Sequence, residues 1–468
     1  MKLTCLIIVC VTLSLASHVA RADGFVHPGV LHSKEDLERM KAKVSAKAQP
    51  WLGGFDVLAS SKYASADYRL RGPVTNCTIG GGKGQYEIRD DSSAAYCNAL
   101  MWYIIGEKAH LQKAKQIINA WSGTMQTFDR KDNLSAGMSA QKFATAGEIL
   151  RYTKGADWSE ADILACEKMF RELLLPAILP TRAGNQGALC LTGEICIGVF
   201  CNDRKIVDHA LETYLGNYRE TDPRRRTVSL RSYVFDNGQS GEAYRDQPHP
   251  QGGIAHLAEI CQTAEIQGIG LWGAYDNLLL KAFEYIAKYN LGEEVPFEPY
   301  TDGMGQRRNS ISESGRGRFS PIYEMVAAYG TRRGLDVTYT RQVTAHLKYF
   351  PETGNADHPG FGALTYRLSP VALPSVPKDL AAFPDDGKVK LSWSAVSDAA
   401  SYSIKCATRS TRDGGLYTIV AKKVETSSST CVGLTNGTTY YYVVSSENKN
   451  GESANSAEVS VTPAVASK

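Results

Sequence analysis

Between Val26 and Arg367 the apolar residues return at intervals of three and four, and after Val371 they alternate singly. One chain therefore carries a long helical region followed by a short all-β one. The helical periods are clearest over Ala94–Ile105, Leu111–Trp121, Ser139–Tyr152, Glu160–Leu175, Ile206–Tyr218, Ile254–Gln267, Tyr275–Tyr289 and Ile322–Tyr329, separated by short polar, Gly or Pro breaks. Antiparallel helix pairs in this number wrap as an (α/α) toroid with a cleft at the inner ends, or stack as a plain bundle. The domain limits read as 23–370 for the helical region, 371–376 for a linker with Pro374 at its centre, and 377–464 for the β region.

The tail alternates over Lys388–Trp393, Ser401–Cys406, Leu416–Val420 and Thr438–Val444. It resembles a fibronectin type III domain. Trp393, the Leu434–Tyr442 run and Asn450–Ser453 stand where that family places its core tryptophan, its tyrosine corner and its last hairpin. Such domains space or attach, so no chemistry is assigned to this one. Cys406 and Cys431 are plausible bridge partners.

Residues 1–22 have a basic start, a short apolar run and an Ala20-Arg21-Ala22 ending, the pattern of a cleaved export signal. A secreted protein, extracellular or periplasmic, is expected, and no later stretch is long and apolar enough to span a bilayer. Eleven cysteines are present; Cys5 and Cys10 leave with the signal, and the odd remainder cannot all pair internally. Cys190, Cys196 and Cys201 crowd one apolar segment, as buried thiols or with one bridge, and no histidine or carboxylate beside them has zinc-ligand spacing. The net charge of +3 implies no nucleic-acid partner, although Arg224, Arg225 and Arg226 and the set Arg307, Arg308, Arg316 and Arg318 form local basic clusters, either solvated faces or anion sites. Asn76, Asn133 and Asn436 open glycosylation triplets that matter only in a eukaryotic secretory route.

The densest chemistry lies in residues 241–260. Pro248, Pro250 and Gly252-Gly253 predict a non-helical approach to a helix whose buried face is Gly253, Leu257, Ile260 and Ala264. His249 is then at the helix entrance, with Glu242, Arg245 and Asp246 near enough in the chain to bias its protonation. His256 is either a second functional histidine or a satisfied core residue. In residues 314–324, Arg316 and Arg318 precede Tyr323, expected in the first turn of a helix after Pro321. A phenol titrates near ~10 and works as a base only when cations stabilise its phenolate. Tyr323 is thus either that base or an ordinary half-buried aromatic. Asn185 either presents its amide to a ligand or caps the helix that follows.

Residues 242–251, Leu257–Ile260, Tyr275–Asn290 and Pro321–Glu324, with Ile117–Trp121, Ala146–Tyr152 and Pro359–Leu364, together resemble the alginate-lyase domain of polyuronate lyases, closest to polysaccharide lyase family 38. The resemblance spans nearly all of residues 26–367. It implies an (α/α) toroid that cleaves uronic-acid chains such as alginate or glucuronan by β-elimination, with no metal or other cofactor and an anionic polysaccharide as partner. That chemistry needs the C6 carboxylate neutralised, the C5 proton removed and O4 protonated. By resemblance, Asn185 and Glu242 hold the carboxylate, Glu242 as a protonated or proton-sharing group, and His249 and Tyr323 move the protons. Tyr323 alone serves where C5–H and O4 leave from one face, and His249 joins it as base where they leave from opposite faces. Arg316 or Arg318 stabilises phenolate and carboxylate; Arg245, Gln186 and Gln141 complete the expected substrate contacts. Relatives carry an aromatic residue after the asparagine where this chain has Gln186, and the stretch Tyr218–Arg231 reads as an insertion.

Two other classes fit parts of the pattern. An inverting glycoside hydrolase would use two carboxylates, Glu242 and Glu324. A non-catalytic carbohydrate-binding or adhesion protein would explain the β tail.

Overall fold

The computed structural model describes residues 24–79, 83–179, 183–217, 228–302, 305–345, 352–354, 357–369, 373–448 and 451–465. The export signal, Arg224–Arg226 and most of the Tyr218–Arg231 stretch lie outside them. The helices are α1 (Lys34–Ser45), α2 (Trp51–Ser60), α3 (Gln85–Ile105), α4 (Lys108–Thr124), α5 (Asn133–Tyr152), α6 (Glu160–Lys168), α7 (Leu175–Ile178), α8 (Gly184–Phe200), α9 (Arg204–Tyr214), α10 (Leu230–Tyr233), α11 (Pro248–Ile266), α12 (Ala274–Asn290), α13 (Tyr323–Arg332), α14 (Thr338–Ala345) and α15 (Gly362–Thr365). Each helical period read from the sequence overlaps one of these, although Ile206–Tyr218 runs past the end of α9 at Tyr214 and Tyr218 lies outside the described residues. The Glu160–Leu175 period is broken by a wider π turn over Met169–Leu174, and α11 starts five residues before its apolar stripe does. Pro248 and Pro250 are thus not an approach to α11 but part of its first turn, where a missing N–H costs no hydrogen bond.

Four helices, α3, α5, α8 and α11, are buried nearly all round and form the inner wall. They run parallel. Gly137 faces Leu189 and Gly147 faces Phe200 along α5 and α8, where an added Cβ would come within 3.0 and 2.7 Å of those side chains. Near the starts of α3 and α5, Arg89 Nε donates to Ser135 Oγ (2.7 Å), and Thr192 Oγ1 of α8 donates to the His256 carbonyl of α11 (2.9 Å). Helices α4, α6, α9 and α12 pack outside them, and the antiparallel returns bring all four inner N-termini to one rim. Their macrodipoles make that rim electropositive.

Four two-residue strands, β1 (Asn76–Cys77), β2 (Thr127–Phe128), β3 (Tyr300–Thr301) and β4 (Arg307–Arg308), lie among the described residues of the helical region, and the C-terminal domain is a two-sheet sandwich. One sheet is β5 (Ala381–Asp385), β6 (Lys388–Ser392) and β9 (Ser428–Val432), and the other has β7 (Ser401–Ala407), β8 (Thr418–Val424), β10 (Tyr440–Asn448), β11 (Gly451–Glu452) and β12 (Val459–Val461). Trp393 is buried edge-on to Tyr402 at 5.2 Å. The Tyr440 hydroxyl accepts from the Thr435 N–H (3.0 Å), closing the tyrosine corner. Cys406 and Cys431 are free thiols, contrary to the expected bridge, as are Cys196 and Cys201, and these last two and Cys190 are buried in the helical core.

The sandwich is docked on the helical domain through a shared ion network. Arg333 lies between Glu265 (2.7 Å) of α11 and Glu452 (2.8 Å) of β11, and Lys405 of β7 reaches the other Glu452 oxygen (2.5 Å). Burial raises the Glu452 carboxyl, but Arg333 and then Lys405 outweigh it and hold the group down to about 2. The folded value lies below the ~4.3 of an unfolded glutamate, so the network stabilises fully above that pH and is lost as pH falls toward the folded value. Glu452→Gln is expected to lower the melting temperature at neutral pH and to reduce its fall between about pH 5 and about pH 3. Parallel acid slopes for the two proteins in calorimetry would show that Glu452 carries none of that dependence.

Candidate active site

At the rim, the turn 241–247 is tied down along its length. Gly241 N donates to the Tyr233 carbonyl (2.7 Å), Ser312 N to the Ala243 carbonyl (2.9 Å), and Gln247 N to the Ser314 carbonyl (2.8 Å). Ala243 is buried beneath it. The side chains of Glu242, Arg245 and His249 form one chain of contacts on the outer side, next to the start of α8.

Glu242 accepts from three donors: Tyr233 OH (2.9 Å) and the Asn185 backbone N–H (3.0 Å) at Oε2, and Arg245 Nη1 (3.1 Å) at Oε1. That is the set an ionised carboxylate takes. Glu242 is therefore an anchor joining three elements, and the expectation that it shares a proton with a sugar carboxylate is corrected. Arg245 Nη2 continues to His249 Nε2 (2.6 Å), while His249 Nδ1 faces Asp246 Oδ1 (2.7 Å). A guanidinium only donates, so Nε2 is the acceptor, Nδ1 carries the proton, and Asp246 fixes that tautomer. His249 remains about a third exposed.

Asn185 is the second residue of α8. The N-cap of that helix is Ala183, without a side-chain cap, so the amide of Asn185 is not spent on capping. It is half-buried at the rim beside Gln186. Tyr233, which no pattern in the chain singles out, reaches Glu242 because Gly253 leaves it room: a Cβ there would stand 1.9 Å from the phenol oxygen. Burial, then Glu242, push the Tyr233 phenol well above its ordinary value, which suits a fixed donor. Tyr244 lies on the rim turn, half-buried, with the Arg308 guanidinium 3.8 Å above its ring and Arg308 held by Asp302 (2.6 Å). Of the basic run read in the sequence, Arg308 is the member brought to this turn.

Several expected site residues are elsewhere. Tyr323 is fully buried, edge-on to Phe283 and Phe319, and its hydroxyl donates to Gln251 Oε1 (2.9 Å). Gln251 follows His249 by two positions, about 200° round α11, so the phenol lies on the opposite face of that helix. Burial, then Glu352, raise its pKa well above the ordinary value, the reverse of what a base needs. Arg316 does not face it; it stacks on Tyr289 at 4.0 Å, pairs with Glu294 (3.1 Å) and bonds the Tyr289 carbonyl (3.0 Å). Arg318 is exposed and serves Gln251 through its backbone carbonyl (2.8 Å). Gln141 is fully buried two turns into α5, out of reach of a polymer at the rim, and its amide has no partner among the described residues. Glu324 is buried with both oxygens on Arg367, so Glu242 and Glu324 do not form the open carboxylate pair of an inverting hydrolase.

Residues 83–297 match the family model described as alginate lyase, and residues 375–462 match fibronectin type III. An alginate lyase from Bacteroides ovatus shares the fold at a TM-score of 0.51 and 12% identity, over 74% of this chain and 100% of that one. A fibronectin-type-III-like protein from Clostridium thermocellum is 34% identical over 21% of this chain and 98% of its own, with a TM-score of 0.18. The amylopullulanase of Thermoanaerobacter thermohydrosulfuricus is 46% identical over 87 residues, and the match spans 18% of this chain but only 6% of that protein. The shared fold is a helical toroid, and the family match lies within it. More particularly, the chain carries an alginate lyase domain with a fibronectin type III domain after it.

Proposed function

We propose that the protein is an exported lyase that cleaves uronic-acid polymers, alginate or glucuronan, by β-elimination. The reading is carried by His249: a histidine with Asp246 on one nitrogen, its other nitrogen turned to a cation, and a spare amide at the same electropositive rim. The Arg245 guanidinium leaves His249 Nε2 for the sugar carboxylate, which Asn185 also binds. The two withdraw charge from the carboxylate and acidify C5–H. His249 Nε2, freed, takes the C5 proton, and Asp246 stabilises the imidazolium. The O4 leaving group is protonated by Tyr244, whose phenol stands on the same turn under Arg308. The C4–O4 bond breaks as the C4–C5 double bond forms, leaving an unsaturated uronate at the new non-reducing end. Gln186, half-buried beside Asn185 at the same rim, binds a neighbouring sugar.

A panel of polymannuronate, polyguluronate and glucuronan, followed by ultraviolet absorbance, tests this. A rise with at least one polymer is expected, because elimination conjugates the new double bond with the carboxylate. Depolymerisation without that rise would mean hydrolysis. Binding without any product would favour the adhesion reading.

A further inference from the structure

Beneath the rim, α11 carries a second polar group into the centre of the helical domain. His256 and Glu259, one turn apart, meet His358 from the segment that leads into α15, and the three are 4%, 3% and 3% exposed. Each Glu259 oxygen faces a different imidazole: Oε2 lies 2.9 Å from His256 Nδ1, and Oε1 lies 3.0 Å from His358 Nδ1. The two rings are 4.3 Å apart between centroids, and the three donor atoms all fall within 4.8 Å of one another.

This donor set also suits a small borderline cation. Two imidazole nitrogens and a carboxylate are zinc ligands at bond lengths of ~2.0–2.2 Å, which places neighbouring donors about 3.3 Å apart around a tetrahedron. The two Glu259–histidine separations, 2.9 and 3.0 Å, need to open by only a few tenths of an ångström. The ligands come from two distant stretches of chain, so an ion joining them would close a long loop, the arrangement in which a structural metal contributes most to folding. A cavity of about 10 Å³ borders Glu259, Glu352 and Tyr366, at the lower limit for one water.

We propose that His256, Glu259 and His358 bind one zinc ion, which fastens the segment before α15 to α11 about two turns below His249. Its role is structural: the ligands are enclosed and do not reach the rim. Lys142 of α5, buried and interacting with Glu259 and Asp357, is the other cation that can balance Glu259. Metal analysis separates the two.

The full chain, produced with zinc in the medium and purified without a metal-affinity step, is expected to hold about one zinc per molecule by mass spectrometry of the elements. Chelation should lower its melting temperature and added zinc should restore it; cobalt in its place should give the visible bands of a tetrahedral site. Glu259→Gln and His358→Ala, checked by circular dichroism, are expected to bind zinc at least ~10-fold more weakly. Folded parent protein with less than about a tenth of an equivalent, and no response to chelator or zinc, would overturn the proposal. So would full zinc occupancy in a folded Glu259→Gln protein. The parent measurement decides even if the variants do not fold.

Discussion

His249→Ala should lower kcat on a uronic-acid polymer by about three orders of magnitude, within the ~10²–10⁴ that a positioned acid or base supplies. The fold should survive, since the ring is about a third exposed. Asp246→Asn should give a smaller loss, of the order of ten-fold, by releasing the tautomer that puts the proton on Nδ1. Arg245→Met tests the other half of the arrangement. If Arg245 binds the sugar carboxylate, KM rises and kcat falls; if it only occupies His249 Nε2, its removal frees the base and turnover holds or increases. The measurements are initial rates by ultraviolet absorbance, with circular dichroism as the control for folding. A His249→Ala protein that cleaves at the parental rate removes the imidazole from the mechanism.

Tyr323 gives the second large effect, and it is on stability rather than turnover. Tyr323→Ala empties a fully buried aromatic site between Phe283 and Phe319 and is expected to cost about 3–5 kcal/mol. Tyr323→Phe keeps the ring and loses only the hydrogen bond to Gln251, about 1–3 kcal/mol because Gln251 then carries a buried acceptor with one partner fewer. Turnover of the phenylalanine variant should stay within a few-fold of the parent. Denaturant melts and rates on the same preparation separate the two quantities. If Tyr323→Phe instead abolishes cleavage with its melting curve unchanged, the phenol takes part in the chemistry, and the assignment of acid and base made here is wrong.

The contrast between these two residues shows what a chain can reveal about a site. His249, Arg245, Asp246 and Glu242 lie within eight positions, so the turn and first helical turn that hold them also hold them together, and their grouping was legible. Tyr323 and the arginines before it were equally suggestive, but which way a residue points from a helix start depends on what packs there. Here Gln251, Phe283 and Glu352 arrive from three other parts of the chain and, with Phe319, enclose the phenol. Arg316 was drawn off by Tyr289 and Glu294 for the same reason. Tyr233 stayed invisible because its role depends on the absent side chain of Gly253, twenty residues away.

Glu242 is the case between these. Its place in the cleft could be read, yet its job could not, because the donors that define it come from α8, α10 and its own turn.

By itself the sequence determined the local order of the molecule: helical and alternating apolar periods, the division near residue 371, the tyrosine corner, and the cluster from Glu242 to His249. Those follow from interactions between residues close in the chain, which periodicity and turn chemistry encode directly. Only the tertiary structure decided which side chains face the rim and which face the core, that Glu242 is an anchor, that Arg333 and Glu452 lock two domains, and that His358 meets His256 and Glu259. Each of these is a contact between segments tens to hundreds of residues apart, and burial, the term that sets their charge and reach, is a property of the packed whole.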